Sequence, residues 1–324
     1  MKVLTRCLFV AALGFATAVT TAIAAQPAEG PPVKLIVPFP AGGTVDGLAR
    51  MLQPALSATL GQTVIVENKS GAGGRIGTAE AVRAPADGNT IVMIYDNYAT
   101  DPIFHKDLPY DPWKDLTPVT LMARAPMVAI ATAKAPYSTL QELVVYAKAN
   151  PGKVDFGSTG VGSSSHLTGE LFAHHTGTQM FHVPYKGGAP AATDLLGGSL
   201  QLFWGTIPYA KAQAATGRAK LLGQTGARRA KALPDVPTLA EQGLKDIEIY
   251  GWAGFMLPAG TPPTLVQRWA QAIHTAVTKP EIGQRLDEMG FEVAVDNPTA
   301  FADFLRRENH KWANLIKAAG ISIH

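Results

Sequence analysis

The sequence is almost without cysteine: Cys7 is the single one in 324 residues. That excludes a disulfide-stapled scaffold. Charge is also sparse. Only 16% of residues are Asp, Glu, Lys or Arg, and 28 bases against 25 acids leave a net charge of +3. A disordered chain would carry more charge and fewer apolar residues than the 47% present. No basic stripe of the kind that grips nucleic acid is visible, so no nucleic-acid partner is expected. Enzyme signatures are missing too. The frame Gly162-Ser163-Ser164-Ser165-His166 ends in histidine where a nucleophile elbow needs glycine. The run Gly71-Ala72-Gly73-Gly74-Arg75-Ile76-Gly77 misses G-x-G-x-x-G by one residue, and neither a P-loop nor H-E-x-x-H occurs. What is plentiful is glycine (32) and proline (24), which implies many turns between short elements. The length suffices for two domains, or one large one, with a sizeable core.

The N-terminus reads as a secretory signal peptide over residues 1–25. Lys2 and Arg6 are followed by an uncharged apolar run, Leu8 to Ala18, and by the small residues Ala22-Ile23-Ala24-Ala25. The apolar run is too short to span a bilayer, which takes about 20 residues. Cleavage would remove Cys7, excluding disulfides, thiolate catalysis and cysteine-ligated metals from the mature chain. It would also remove two bases and no acid, lowering the net charge to +1. A soluble, monomeric protein outside the cytoplasm is expected.

Beyond this address, strands alternate with helices. Val33 to Val37 reads as a buried strand, and Leu48, Met51, Leu52, Ala55, Leu56 and Leu60 recur at helical spacing, with Pro54 expected to kink that helix. Further strands are expected at Thr63–Glu67, Thr90–Tyr95, Val128–Thr132, Val154–Gly157, Met180–Val183, Leu200–Trp204 and Lys220–Leu222. Ser138 with Gln141 has capping-box spacing before a helix. A last helix is expected near Pro298–Ala319, with Phe301, Leu305, Trp312 and Ile316 inward. The alternation predicts an α/β fold with mostly parallel sheets. Arg228-Arg229-Ala230-Lys231 reads as a solvated basic run.

Two loops draw attention. Phe39-Pro40-Ala41-Gly42-Gly43-Thr44-Val45-Asp46 joins the first strand to its helix, where open α/β sheets bind ligands. Its alternative is a plain strand-to-helix turn. Ser158-Thr159-Gly160-Val161-Gly162-Ser163-Ser164-Ser165-His166 offers hydroxyls, backbone N–H groups and a helix start together, which suits a carboxylate or phosphate. Its alternative is a solvated polar turn. Tyr95, Tyr98, Trp204, Tyr209 and Trp252 stand near predicted strand ends as cleft walls or as ordinary core. His174, His175 and His182 resemble a metal cluster, but adjacent helical residues point about 100° apart. Neither metal nor cofactor is expected.

The chain resembles the Bug family, the substrate-binding receptors of tripartite tricarboxylate transporters, from about Pro32 to Ile321. The motifs are Val37-Pro38-Phe39-Pro40 with Gly42-Gly43 and Asp46; Gly61-Gln62 with Val66-Glu67-Asn68 and Gly71-Ala72-Gly73-Gly74; Leu108-Pro109-Tyr110-Asp111-Pro112; Phe156-Gly157-Ser158 with Gly162 to Leu167; His182-Val183-Pro184-Tyr185-Lys186-Gly187; Leu233 to Thr238; and Pro258-Ala259-Gly260-Thr261-Pro262. The resemblance implies a type II periplasmic binding fold of two lobes with two hinge crossovers, near Leu121–Val128 and Ile247–Gly254. One lobe would take residues 26–124 plus 251–324, the other 125–250. It implies a non-catalytic receptor that captures a small mono- or dicarboxylate in the interlobe cleft for the transporter's membrane components. The implied ligand-binding residues are Phe39, Pro40, Gly42, Gly43, Thr44, Asp46, Asp96, Asn97, Tyr98, Ser158, Gly162, Ser163, Ser164, Ser165, His166, Tyr185, Gly205 and Thr206. Three places depart from the family pattern: Thr44-Val45-Asp46, Asp96-Asn97-Tyr98 and Gly205-Thr206. They lie where a ligand's distal end would sit, and admit an aromatic ligand on Tyr98 or one with an amide or amine. Two other readings use the same residues: a ligand-sensing adaptor for a membrane signalling protein, and a secreted hydrolase using Ser163 or Ser164 with His166.

Overall fold

The computed structural model describes residues 30–321. The signal-peptide expectation lies outside them. Strand β1 (Val33–Val37) leads into α1 (Thr44–Leu60), β2 (Val64–Asn68), α2 (Arg75–Val82), β3 (Thr90–Tyr95) and α3 (Asn97–Phe104). Strands β4 (Leu116–Pro126) and β5 (Val128–Thr132) are separated by Met127 alone. Then follow α4 (Leu140–Ala149), β6 (Asp155–Ser158), α5 (Ser164–Thr176), β7 (Phe181–Pro184), α6 (Gly188–Gly197), β8 (Leu202–Gly205), α7 (Ile207–Ala215) and β9 (Ala219–Gln224). The chain ends with β10 (Tyr250–Pro258), α8 (Pro263–Val277), α9 (Pro280–Glu288), β11 (Glu292–Val293) and α10 (Pro298–Ala319).

The strands form two sheets, ordered β11-β4-β10-β3-β1-β2 and β7-β6-β8-β5-β9. Both are mixed rather than mostly parallel. β1 runs parallel to β2 and β3, whereas β10 is antiparallel to β3 and β4. In the second sheet β6 runs parallel to β7 and β8, and β5 is antiparallel to β8 and β9. The antiparallel members, β4, β5 and β10, adjoin the passages between the sheets, so helix-to-strand alternation alone could not reveal their direction. Those passages are tied together by Thr225: the Met127 N–H donates to its Oγ1 and its own N–H to the Met127 carbonyl, each at 2.9 Å, and its Oγ1 donates to the Ile249 carbonyl.

Each sheet is covered on both faces. α1, α8 and α9 bury Leu52, Trp269, Ile273 and Leu286 on one face of the six-stranded sheet, and α2, α3 and α10 cover the other. On the five-stranded sheet, α4 and α5 cover one face and α6 and α7 the other. Fully burying one Leu, Ile or Phe contributes roughly 1.5–3 kcal/mol, so each of the four layers is a substantial core. α10 belongs to two of them. Its first half seats Phe301 and Leu305 on the six-stranded sheet, where a Cβ at Gly254 would lie 2.2 Å from Phe301. Its second half places Trp312 and Ile316 with Ala129, Phe172 and Ile249 in a core of the five-stranded sheet.

Local differences have clear causes. The capping box before α4 sits one residue later than expected: Thr139 accepts the Glu142 N–H at 3.1 Å, and Glu142 accepts the Ser138 N–H at 2.6 Å. Helix α1 continues unbroken through Pro54. The basic run is exposed but paired: Arg228 with Glu292, Arg229 with Glu241 and Lys231 with Asp287. Such exposed pairs contribute at most about 1 kcal/mol each.

Candidate ligand-binding site

The first loop folds around Asp46. Gly42 adopts φ of 77°, open to glycine at little cost, and its N–H donates to Asp46 Oδ2 at 2.9 Å. Arg50 Nε donates to both Asp46 oxygens and Asn68 Nδ2 to Oδ1, at 2.9 to 3.0 Å. Burial pushes the Asp46 carboxyl up, but the hydrogen bonds from Gly42, Arg50 and Asn68 outweigh it and hold the pKa below the usual value. Asp46, expected as a ligand contact, is thus a loop organiser whose oxygens accept hydrogen bonds from Gly42, Arg50 and Asn68. Across the cleft, Thr44 Oγ1 meets Thr206 Oγ1 at 3.1 Å, joining the start of α1 to the start of α7. Gly205 leaves no room for a side chain: a Cβ there would lie 2.6 Å from Phe203 and 2.8 Å from Ile130.

The second loop spends most of its hydroxyls on itself. Ser158 Oγ accepts the Gly160 N–H and pairs with His182 Nε2 at 2.7 Å. Ser163 caps α5, accepting the His166 N–H at 3.2 Å and donating to the Gly160 carbonyl at 2.7 Å. Ser165 donates to the Trp204 carbonyl. Ser164 is taken by Asp96: its hydroxyl donates to Oδ2 at 2.6 Å and its N–H lies 3.3 Å from Oδ1. Thr100 Oγ1 donates to the Gly162 carbonyl at 2.6 Å, and Phe104 packs edge-on against His166. The start of α5 is therefore buried under α3, with Asp96 occupying the place an external anion would take. Gly162 to His166, expected to face a ligand, are thus engaged within the protein in this structure. Burial pushes Asp96 up to about 7, despite the hydrogen bonds from Ser164.

Two adjoining cavities lie between the sheets. The smaller, about 100 Å³, is lined by Gly43, Thr44, Tyr95, Thr206 and Tyr209. The larger, about 520 Å³, is lined by the Gly71–Gly74 turn, Arg75, His105, Thr159 and Tyr185. Phe39, Pro40, Thr159, Lys186 and Gly187 border both. No Asp or Glu lines either, whereas Arg75 and Lys186 do. Phe39, which borders both, packs edge-on to Tyr95 with ring centroids 6.1 Å apart.

Of the expected contacts, Phe39, Pro40, Gly43, Thr44, Tyr185 and Thr206 line these cavities. Gly42, Asp46, Asp96, Ser158, Gly162, Ser163, Ser164, Ser165, His166 and Gly205 line neither. Asn97 and Tyr98 border only a much smaller void, and Asn97 donates to the Gly73 carbonyl. Tyr98 is core: its hydroxyl donates to the Pro112 carbonyl at 2.6 Å and its ring stacks on Tyr110. Trp204 and Trp252 are likewise fully buried. Arg75, Thr159 and Lys186 also line them and were not among the implied contacts. Their signal was present, since each stands within or next to a quoted glycine motif.

His182 meets neither His174 nor His175 in a metal-like cluster. Among the described residues it instead joins His166 and Glu170, with donor atoms within 4.8 Å of one another. The His166 and His182 rings stack at 4.0 Å. His166 Nδ1 accepts the Gly162 N–H, so its neutral ring carries the proton on Nε2, the nitrogen 3.7 Å from Glu170. Burial, followed by the neighbouring His182, holds His166 down to about 3; burial holds His182 at about 4. The group is a neutral stack whose nitrogens serve hydrogen bonds, and no orienting third residue makes Ser163 or Ser164 a nucleophile with it.

Two α/β units with a cation-lined gap between them define a two-lobed solute-binding protein. Residues 48–321 match the family model described as the tripartite tricarboxylate transporter family receptor. Protein BugT of Bordetella pertussis is 32% identical over 99% of both chains. The chain belongs to this family of Bug-type periplasmic receptors, which are solute-binding proteins and not enzymes. Among solved structures it is similar to Rpa4515 of R. palustris with adipate, at 33% identity and a TM-score of 0.86 over 90% of this chain and 97% of that one. It is also similar to MatC of Rhodopseudomonas palustris with bound malate, at 28% identity and a TM-score of 0.81 over 88% and 98%. No helix among the described residues is long and apolar enough to cross a membrane.

Proposed function

We propose that this receptor captures a small carboxylate between its lobes and delivers it to the membrane components of a tripartite tricarboxylate-type transporter. The observation that carries the reading is the pair of adjoining cavities, lined by Arg75 and Lys186 and by no acid. In such a site the anion faces backbone and cations without like-charge repulsion. The adipate and malate held by the two similar receptors support a carboxylate as the ligand class. Gly43, Thr44, Thr206 and Thr159 are the groups assigned to the first carboxylate. The lobes are assigned as residues 26–124 with 251–324, and 125–250, with the second half of α10 packed on the latter lobe. Export with cleavage near Ala25 places the mature chain in the periplasm.

The test is thermal unfolding with a panel of aliphatic, aromatic and amino-acid carboxylates. A ligand that binds the native state raises the melting temperature in proportion to RT ln(1 + [L]/Kd). No shift across the panel at millimolar concentrations would refute the reading. Thr44→Val should weaken the responding ligand, since it removes both a cavity hydroxyl and the bridge to Thr206.

A further inference from the structure

The larger cavity is built differently from the smaller one. Its floor is the turn Gly71–Gly74, where Gly73 and Gly74 have φ of 64° and 97°. These conformations favour glycine and leave backbone bare toward the cavity. A Cβ at Gly74 would also lie 3.2 Å from the Phe39 ring, so the floor fits closely under the shared wall. Arg75 opens α2 directly from this floor with its side chain 21% exposed. Its Nη1 lies 3.5 Å from Asp101 Oδ1, a buried oxygen that accepts no hydrogen bond. A guanidinium has five donors in a planar fork, so one long contact leaves most of them uncommitted. Asp101 does not fully neutralise it either, because burial pushes that carboxyl up to about 7 even against the pull of Arg75. Lys186 stands exposed at the lip common to both cavities.

Elsewhere the room for a distal group is closed. Asp96 is spent on Ser164 and Tyr98 on Pro112, and Asn97 is tied to Gly73. Of the two cavities, the larger combines room for a second group with both Arg75 and Lys186, whereas Lys186 is the one Lys or Arg bordering the smaller.

We propose that the larger cavity seats a second carboxylate and that Arg75 is the residue that selects for it. This rests on the carboxylate-receptor reading above. The ligand is then an extended dicarboxylate. One end lies against Gly43 and Thr44, the chain passes Phe39, and the far end meets the guanidinium fork, which matches a carboxylate bidentately. Asp101 is a positioning residue that holds Arg75 toward the cavity.

The test compares linear dicarboxylates from succinate to suberate with their monomethyl esters by isothermal titration calorimetry. The wild type should bind its best diacid at least about tenfold more tightly than the matching monoester, as a charge-assisted bidentate pair implies. Arg75→Gln should bring the two within about twofold, so that the diacid loses at least about fivefold more affinity than the monoester does. Arg75→Lys should keep part of the preference. The double variant R75Q/D101N removes the acid that a single substitution would strand, and should behave like R75Q. A double variant that still prefers the diacid overturns the proposal, as does one that folds but loses diacid and monoester equally. If the wild type binds carboxylates without preferring diacids, this proposal alone fails. If it binds none of the broader panel, the receptor reading fails first and takes this one with it.

Discussion

Asp96 offers the sharpest quantitative test. Its carboxyl is 4% exposed, wedged between β3 and the start of α5, and burial lifts it to about 7. An unfolded aspartate titrates near 3.9. Between these values the native protein holds a proton that the unfolded chain releases, so stability falls as pH rises from about 4 to about 7. Each pH unit in that window costs about 1.4 kcal/mol, and the full penalty above pH 7 is on the order of 4 kcal/mol. Asn is close in shape to the protonated acid and can still accept the Ser164 N–H. Asp96→Asn should therefore be nearly neutral at pH 4 and stabilising at pH 8. Its advantage over the wild type should grow by about 3 kcal/mol between pH 5 and pH 8. The wild-type profile alone hides this. Buried His166 and His182, held at about 3 and about 4, bind fewer protons than in the unfolded chain below pH 6.5, and so give the opposite slope. Urea unfolding of both proteins at matched ionic strength, followed by tryptophan fluorescence, isolates the Asp96 contribution. An advantage that is constant from pH 5 to pH 8, or a variant that is less stable at pH 8, would refute the account.

Three further outcomes are expected. Asp46→Ala strands the Gly42 N–H, Arg50 and Asn68, and should cost about 3 kcal/mol in urea unfolding while weakening ligand binding through the collapsed loop. Gly162→Ala forces a side chain onto φ of 80° with its Cβ 3.1 Å from Phe104, and should cost about 1–3 kcal/mol in the same assay. Gly254→Val drives into Phe301, and hydrogen exchange should show α10 losing protection ahead of β10.

Much of the fold was legible because burial writes periodicity. The terminal helix appears where Pro298, Asn297 and the spacing of Phe301, Leu305, Trp312 and Ile316 place it, with Asn297 capping it. Strand direction was not legible, since β4 and β10 carry the same apolar pattern whichever way they run. Among the site residues, the glycine-rich turns identified the two loops and the family motifs located the cleft. The side-chain roles inside the loops were not readable. A serine that caps its own helix and one that greets a ligand have the same letter, and only the position of Asp96 shows that Ser164 is already engaged. Arg75 stands inside a quoted glycine motif, but its pairing with Asp101, 26 residues away in sequence, is a contact that no local pattern encodes.

Helix α10 has a mechanical consequence. With Phe301 rooted in one lobe's core and Trp312 in the other's, the lobes cannot swing apart on the strands beside Met127 and Ile249 alone. Opening must bend the helix between those two anchors or drag one of them from its seat. A relative movement of the two sheets would therefore load this helix first, over the stretch between Leu305 and Trp312.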